Sequence, residues 1–363
     1  MTAHAEYGGQ VRVLVVDDSA FMRTALARMI SSEPDLEVAA TACCAPDALE
    51  KIACLDPDVV TLDVAMPGLD GLGTLRCIME QFPRPVIMVS AATEKDAETT
   101  FSALNAGAFD YVPKQLSSSS LDIIHIRSDL ISKIRAAAHQ RRLQRGDGPT
   151  SHLPEPSLPA SDDLSSAAPR VVAIGVSTGG PKALEQILPR LPKELPVPIL
   201  IVQHMPPGFT GPFAERLNKL CAIDVREATH REPLNSGVAY IAPAGAHLRV
   251  TRRTSDSRAI LTLSREPSNV MHVPSVDVLM NSVATVFKNR VIGVIMTGMG
   301  SDGSEGIAAI FRQGGLTIGQ DEASCAVYGM PRVCAEHGVL TRMVPLSQIP
   351  TQILHATRRH KRN

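Results

Sequence analysis

Three side chains of complementary chemistry each follow an apolar run. Ser177 comes directly after Val171-Val172-Ala173-Ile174-Gly175-Val176, and His204 closes Val197-Pro198-Ile199-Leu200-Ile201-Val202-Gln203. Asp302 lies in Thr297-Gly298-Met299-Gly300-Ser301-Asp302-Gly303, which follows the run Val291 to Met296. A serine hydroxyl is a weak nucleophile until a neutral imidazole takes its proton. The imidazole in turn needs a carboxylate to fix its tautomer and stabilise its charged form. Gly175-Val176-Ser177-Thr178-Gly179 also matches the G-x-S-x-G pattern of a serine on a sharp strand-to-helix turn. A backbone N–H of Met299 could face a developing oxyanion beside donors from the Ser177 loop, and one such donor is typically worth about 3 kcal/mol. Plainer readings stand beside these. A glycine-rich turn after a strand also cradles phosphate, with Gly179 and Gly180 letting a ligand approach the bare backbone. Asp302 would equally cap a helix over Ser304 to Gln313, and His204, ahead of Met205-Pro206-Pro207-Gly208, would equally serve in a turn.

A second set consists of Asp17, Asp18, Asp63, Ser90 and Lys114. Three carboxylates brought together repel, and a hard divalent cation such as Mg²⁺ neutralises them. Such a cation holds phosphoryl oxygens, Lys114 pairs with a phosphate as a point charge, and Ser90 can hydrogen-bond it. The set therefore suits phosphorylation of one aspartate. Individually, Asp17 or Asp18 would also cap a following helix, and Lys114 would also sit in a surface ion pair.

Both sets work only if the elements behind them bring distant residues together. Over residues 1 to 138, strand-like runs at Val11–Val16, Glu37–Ala42, Asp58–Leu62, Pro85–Val89 and Phe109–Val112 alternate with amphipathic stretches. Regular βα alternation predicts a doubly wound parallel sheet whose functional residues collect at the carboxyl ends of the strands. Asp17 and Asp18, Asp63, Ser90 and Lys114 all occupy such ends. Residues 169–357 predict a second, larger α/β domain of the same kind, in which Ser177, His204 and Asp302 share one sheet edge if their strands are parallel neighbours. Pro181 to Leu188 reads as a helix opened by proline. The order Ser, His, Asp differs from the Ser, Asp, His order of α/β-hydrolases, so the elbow match does not import that fold.

Between the domains, residues 139–168 read as a flexible linker. Gly146 to Ala168 is dense in Pro, Ser, Asp and Gly, whereas Leu121 to Leu143 has helical apolar spacing and basic residues toward its end. Residues 358–363 form a basic tail, read as a solvated end. With 44% hydrophobic residues, 20% charged residues and a formal net charge of −1, the 363-residue chain has a globular composition that points neither to nucleic acid nor to an anionic membrane. No apolar run approaches the roughly 20 residues of a membrane helix, so no membrane insertion and a cytoplasmic location are expected. Seven cysteines without CxxC spacing read as reduced core thiols, and the histidines, His230, His247, His272 and His337 among them, show no zinc-ligand spacing.

The first domain resembles response-regulator receiver domains through Leu14-Val15-Val16-Asp17-Asp18-Ser19, Asp63-Val64-Ala65-Met66-Pro67-Gly68-Leu69-Asp70-Gly71, Val89-Ser90-Ala91 and Asp110-Tyr111-Val112-Pro113-Lys114. The resemblance implies a flavodoxin-like fold with Asp63 as phosphoacceptor. It also implies Mg²⁺ held by Asp17, Asp18, Asp63 and the backbone carbonyl of Ala65, with Ser90 and Tyr111 as switch residues and Lys114 on the phosphoryl group. Ala65 replaces an acidic side chain common in such regulators, and Gln115 replaces the proline that usually follows the lysine. The whole chain is similar to the chemotaxis response-regulator protein-glutamate methylesterases. The added motifs are Gly175 to Pro181, Gln203-His204-Met205-Pro206, Pro274-Ser275-Val276-Asp277-Val278-Leu279, Thr297 to Gly303 and Gln320 to Pro331. That similarity implies Ser177 as nucleophile, His204 as general base and Asp302 as its orienting acid, with Thr178 and Met299 lining the site. It implies a serine-esterase domain that needs no cofactor, glutamate methyl esters of chemoreceptors as substrate, glutamine side-chain amides in some members, and a histidine kinase as phosphodonor. Two other classes fit less well: a glycine-loop nucleotide-binding module, and a receiver-controlled transcription factor, which would need a basic helix-turn-helix.

Overall fold

The computed structural model describes residues 10–91, 93–114, 120–145 and 170–358. Gln115, the connector 146–168 and the tail beyond Arg358 lie outside them. The chain divides into two compact units, Met1–Ser151 and His152–Asn363.

In the first unit, β1 (Val11–Val16), β2 (Leu36–Ala42), β3 (Val59–Asp63), β4 (Val86–Ser90) and β5 (Asp110–Pro113) form one sheet in the order β2-β1-β3-β4-β5. Every pairing is parallel. β3 and β4 are buried throughout, which is why, apart from Thr61 and the polar ends Asp63 and Ser90, they read as continuous apolar runs instead of alternating ones. Helices α1 (Ala20–Ser31), α2 (Ala45–Leu55), α3 (Gly71–Gln81), α4 (Glu94–Asn105) and α5 (Ser120–Arg145) link or follow the strands. Ser19, not Asp17 or Asp18, is the N-cap of α1, its side chain accepting from the Met22 N–H. α5 continues through Arg145, so residues 139–145, read from the sequence as linker, are helical. Its end is held by Asp56, which pairs with Arg141 and Arg145 at 2.7 Å each.

The second unit has a seven-stranded sheet ordered β14-β13-β12-β6-β7-β9-β8, all parallel. Its strands are β6 (Val171–Val176), β7 (Ile199–Gln203), β8 (Asp224–Glu227), β9 (Val238–Ile241), β12 (Val291–Ile295), β13 (Leu316–Gln320) and β14 (Arg342–Val344). β10 (His247–Arg252) and β11 (Ala259–Ser264) form a separate antiparallel hairpin. Helices α6 (Gly180–Ile187), α7 (Thr210–Leu220), α8 (Val276–Phe287), α9 (Ser304–Arg312), α10 (Met330–Glu336) and α11 (Ile349–Arg358) complete the unit. Val171, Ala173, Leu200 and Val202 form one core with Val276, Leu279, Met280, Val283 and Ala284, the i, i+3, i+4, i+7, i+8 stripe of α8. Each fully buried Val, Leu or Met side chain among them contributes about 1.5–3 kcal/mol. Gly175 permits this packing: a Cβ there would lie 2.2 Å from Val276 Cγ1. The chain leaves β6 toward β7 on one side and later returns to β12 on the other. The ends of β6 and β12 therefore flank a point where strand order reverses, the usual place for a site in such sheets.

All seven cysteines are unpaired, but only Cys334 is buried and Cys43 and Cys54 are exposed, so the expectation of core thiols is corrected. No helix among the described residues is long and apolar enough to cross a membrane.

Candidate active site

Register brings the first set together. Val176 of β6 pairs with Gln203 of β7, and Gly175 pairs with Ile295 of β12. One step beyond these pairs, His204 N–H donates to Val176 O at 3.2 Å and Ser177 N–H donates to Thr297 O at 3.0 Å. Ser177 thus lies between the turn that carries His204 and the turn that leads to Asp302. Gln203 is 2% exposed, and its Nε2 donates to both Ser177 O and His204 O at 3.0 Å.

His204 Nε2 lies 2.8 Å from Asp302 Oδ2, and both side chains are largely buried. Nδ1 is buried without a hydrogen-bond partner among the described residues, so the ring turns one nitrogen to the carboxylate and leaves the other unused. Asp302 does not cap α9, whose N-cap is Gly303. It bonds the start of α8 instead, beside the N-cap Ser275: Oδ2 accepts from Val276 N–H at 2.8 Å, and Oδ1 accepts from Asp277 N–H at 3.0 Å and Ser275 Oγ at 2.9 Å. Burial alone would raise the Asp302 pKa. The hydrogen bond and charge of His204, with the two backbone donors, outweigh burial and hold the carboxyl well below the usual range. Asp302 is therefore a fixed negative charge beside the imidazole.

Thr178 is buried and Met299 half-buried at the ends of the β6 and β12 turns. Neither backbone N–H donates a hydrogen bond among the described residues. Thr297 Oγ1 donates to Thr178 O at 2.9 Å and accepts from Val327 N–H at 3.0 Å, which ties the Gln320–Pro331 stretch to this edge. The sequence expectation that Gly179 and Gly180 admit a ligand is corrected. A Cβ on Gly180 would meet Gln203 Oε1 at 1.9 Å and one on Gly179 would meet Ala326 Cβ at 2.5 Å, so the protein's own side chains fill that space. The sequence pointed to His272 only as a histidine without zinc-ligand spacing, yet its ring stacks on His204 with centroids 4.1 Å apart and planes 17° apart. Its position two residues before Pro274-Ser275 was the available signal. A cleft of about 320 Å³ lined by Ser304, Glu305, Arg312 and His337 contains none of the predicted residues.

In the first unit the second set also converges. One oxygen from each of Asp17, Asp18 and Asp63 lies within 4.8 Å of the others. Lys114 Nζ sits 2.6 Å from Asp63 Oδ2 and 2.9 Å from Asp17 Oδ2. Burial raises the Asp63 pKa in spite of Lys114, while the two carboxylates raise that of Lys114 against burial. Three carboxylates facing one ammonium leave the edge short of positive charge, and an all-oxygen donor set is what a hard divalent cation takes. Asp63 Oδ1 accepts from the Ala65 N–H at 3.0 Å, and the Lys114 N–H donates to Ser90 O at 2.8 Å. Ser90 Oγ accepts from Thr100 Oγ1 at 2.9 Å, and Tyr111 is buried on β5.

Residues 172–353 match the family described as CheB methylesterase, and residues 13–124 match the response regulator receiver domain. The chain is 45% identical to a protein-glutamate methylesterase/protein-glutamine glutaminase 1 of Oleidesulfovibrio alaskensis, over 95% of this chain and 99% of that protein. It is 43% identical to a protein-glutamate methylesterase/protein-glutamine glutaminase of Pyrococcus abyssi, over 96% and 94%. A crystal structure of the Thermotoga maritima CheB methylesterase catalytic domain superposes with a TM-score of 0.50 at 37% identity, covering 52% of this chain and 99% of that one. With both units matched and relatives aligned nearly end to end, the chain belongs to the CheB methylesterase family, with a response-regulator receiver domain ahead of its esterase domain.

Proposed function

We propose that the second unit hydrolyses methyl esters of glutamate side chains on chemoreceptors, in chemotactic adaptation, under control of the phosphorylated receiver. Ser177 Oγ attacks the ester carbonyl as His204 Nδ1 takes its proton. The tetrahedral oxyanion is met by the N–H groups of Thr178 and Met299, which donate no hydrogen bond among the described residues. Collapse expels methanol, which leaves with the proton from His204, and a water activated by the same nitrogen then releases the glutamate carboxylate and frees Ser177. Asp302 keeps the proton on Nε2 throughout and stabilises the imidazolium. The same sequence on a glutamine amide would release ammonia, in keeping with the second activity in the relatives' names. The observation that carries this reading is the 2.8 Å contact of His204 Nε2 with a carboxylate that His204 and the first N–H groups of α8 hold ionised, at the edge where Ser177 follows β6.

In the receiver, residues 1–138 with the rest of α5, Asp63 accepts the phosphoryl group from a histidine kinase. Asp17, Asp18, Asp63 and the Ala65 carbonyl would hold Mg²⁺, which when bound neutralises charge on the phosphoryl oxygens. Lys114 pairs with the phosphoryl group, and Ser90 and Tyr111 report it. Residues 169–357 form the catalytic domain. The test is release of labelled methanol from methylated receptor membranes. Ser177→Ala should lower it by about 10³-fold or more with the fold intact, and a retained rate would remove Ser177 as nucleophile.

A further inference from the structure

A single hydrogen bond to Nε2 does not fix the plane of an imidazole, because rotation about the Cβ–Cγ bond is broad and soft. The unused Nδ1 of His204 would then sweep across the serine edge instead of pointing at it. The His272 ring, 4.1 Å away and nearly parallel, occupies the space through which His204 would rock.

His272 is itself well anchored. Val273 O accepts from the Gly245 N–H at 3.2 Å, and the Ser275 N–H donates to His247 Nδ1 at 3.1 Å. His247 is fully buried, and its other ring nitrogen lies 3.1 Å from Pro267 O, so one imidazole clamps both ends of the loop that carries His272. The same stretch continues into Ser275, Val276 and Asp277, which supply three of the hydrogen bonds to Asp302. One short segment thus holds the base from above through its ring and from the side through its carboxylate.

We propose that His272 is a positioning residue for the esterase reaction: its stacked ring fixes the plane of His204 so that Nδ1 stays directed at Ser177. This rests on the assignment of Ser177, His204 and Asp302 given above. A flat ring is what the role requires, not a second titrating group, and small misplacement of a reacting atom costs about 10²-fold in rate.

The experiment compares full-length wild type, His272→Phe and His272→Leu for kcat and KM in methanol release from methylated receptor membranes, with thermal melts of each. His272→Leu, similar in bulk but not planar, should lose about 10- to 100-fold in kcat with KM unchanged within about twofold. His272→Phe, which keeps the stack, should recover to within about threefold of wild type. Equal losses in Phe and Leu would overturn the proposal, because imidazole chemistry and not ring shape would then be at work. Undiminished kcat in Leu, or a change confined to KM, would overturn it as well. Ser177→Ala in the same series separates the two layers: if it retains the wild-type rate, the catalytic assignment fails whatever the His272 variants do.

Discussion

Replacing Asp302 by asparagine keeps the shape of the side chain and exchanges one oxygen for an amide nitrogen. That nitrogen has two possible places, and both face donors. At the Oδ2 position it would point at the Val276 N–H and at His204 Nε2, forcing the imidazole to carry its proton on Nδ1, where it no longer serves as a base. At the Oδ1 position it would face the Asp277 N–H and Ser275 Oγ, a hydroxyl that can turn to accept. The second placement costs less and leaves one buried backbone donor unpaired, about 1–3 kcal/mol. Loss of the negative charge at the start of α8 adds about 0.3–1 kcal/mol. Stability at pH 7 should therefore fall by about 1–4 kcal/mol, read from urea midpoints. The wild-type carboxyl has a depressed pKa in the folded state, so its contribution is present above the ordinary carboxylate value and is lost as pH falls below about 4. The gap between wild type and variant should accordingly narrow below that pH. Catalysis should suffer more, since neither placement leaves a charge beside the imidazolium. In serine proteases the same exchange costs about 10⁴ in kcat, and a loss of about 10³–10⁴, about 4–5 kcal/mol of barrier, is expected in methanol release. A folded Asp302→Asn protein with kcat within about tenfold of wild type would refute the reasoning.

Burial, followed by the charge of Asp302, pushes the Asp277 carboxyl up to about 6, while its Oδ1 accepts from the Gly306 N–H at 2.7 Å. Between about pH 4 and 6 the folded chain keeps a proton that the unfolded chain has released, so this group's contribution falls as pH rises through that window. Asp277→Asn should flatten the slope and gain about 1–2 kcal/mol at pH 7.5; urea titrations with unchanged slope would count against it. Asp63→Asn should abolish stimulation of methanol release by a small phosphodonor and leave the basal rate intact. Removal of Mg²⁺ by a chelator should do the same to the wild-type protein. Gly180→Ala would drive its Cβ into Gln203 Oε1 and Val176 Cγ2, at 1.9 and 2.6 Å. Overpacking of about 1–3 kcal/mol should lower the melting temperature by several degrees and reduce kcat, whereas an unchanged melt would show that the sheet edge has room.

The strands of the first unit begin and end within a residue or so of the apolar runs, most cleanly in β1 and β4, where burial on both faces gives nearly continuous apolar stretches. The neighbouring strands β12, β6 and β7 were legible for the same reason, and with them the places of Ser177 and His204 just beyond the ends of β6 and β7. β8 and the β10–β11 hairpin were not, since Asp224–Glu227 is short with three of its four residues charged, and the hairpin turn is a polar run of arginine, serine, threonine and aspartate. The partners of Asp302 were hidden as well. A cap on the helix that begins two residues later is visible in sequence, but hydrogen bonds to the start of α8, reached across the tertiary fold, are not. His272 was read only for metal-ligand spacing, and its stacking depends on a loop path that no local pattern encodes. The linker boundary moved because ion pairs from Arg141 and Arg145 to Asp56 extend α5 beyond its apolar stripe.

The carboxamide of Gln203 grips the carbonyl oxygens of Ser177 and His204 with one nitrogen. Two reactive loops joined in this way cannot slide past each other; they travel as one block when the strand ends breathe. Slow flexing of the molecule can then alter how a docked ester meets the pair without detuning the pair itself.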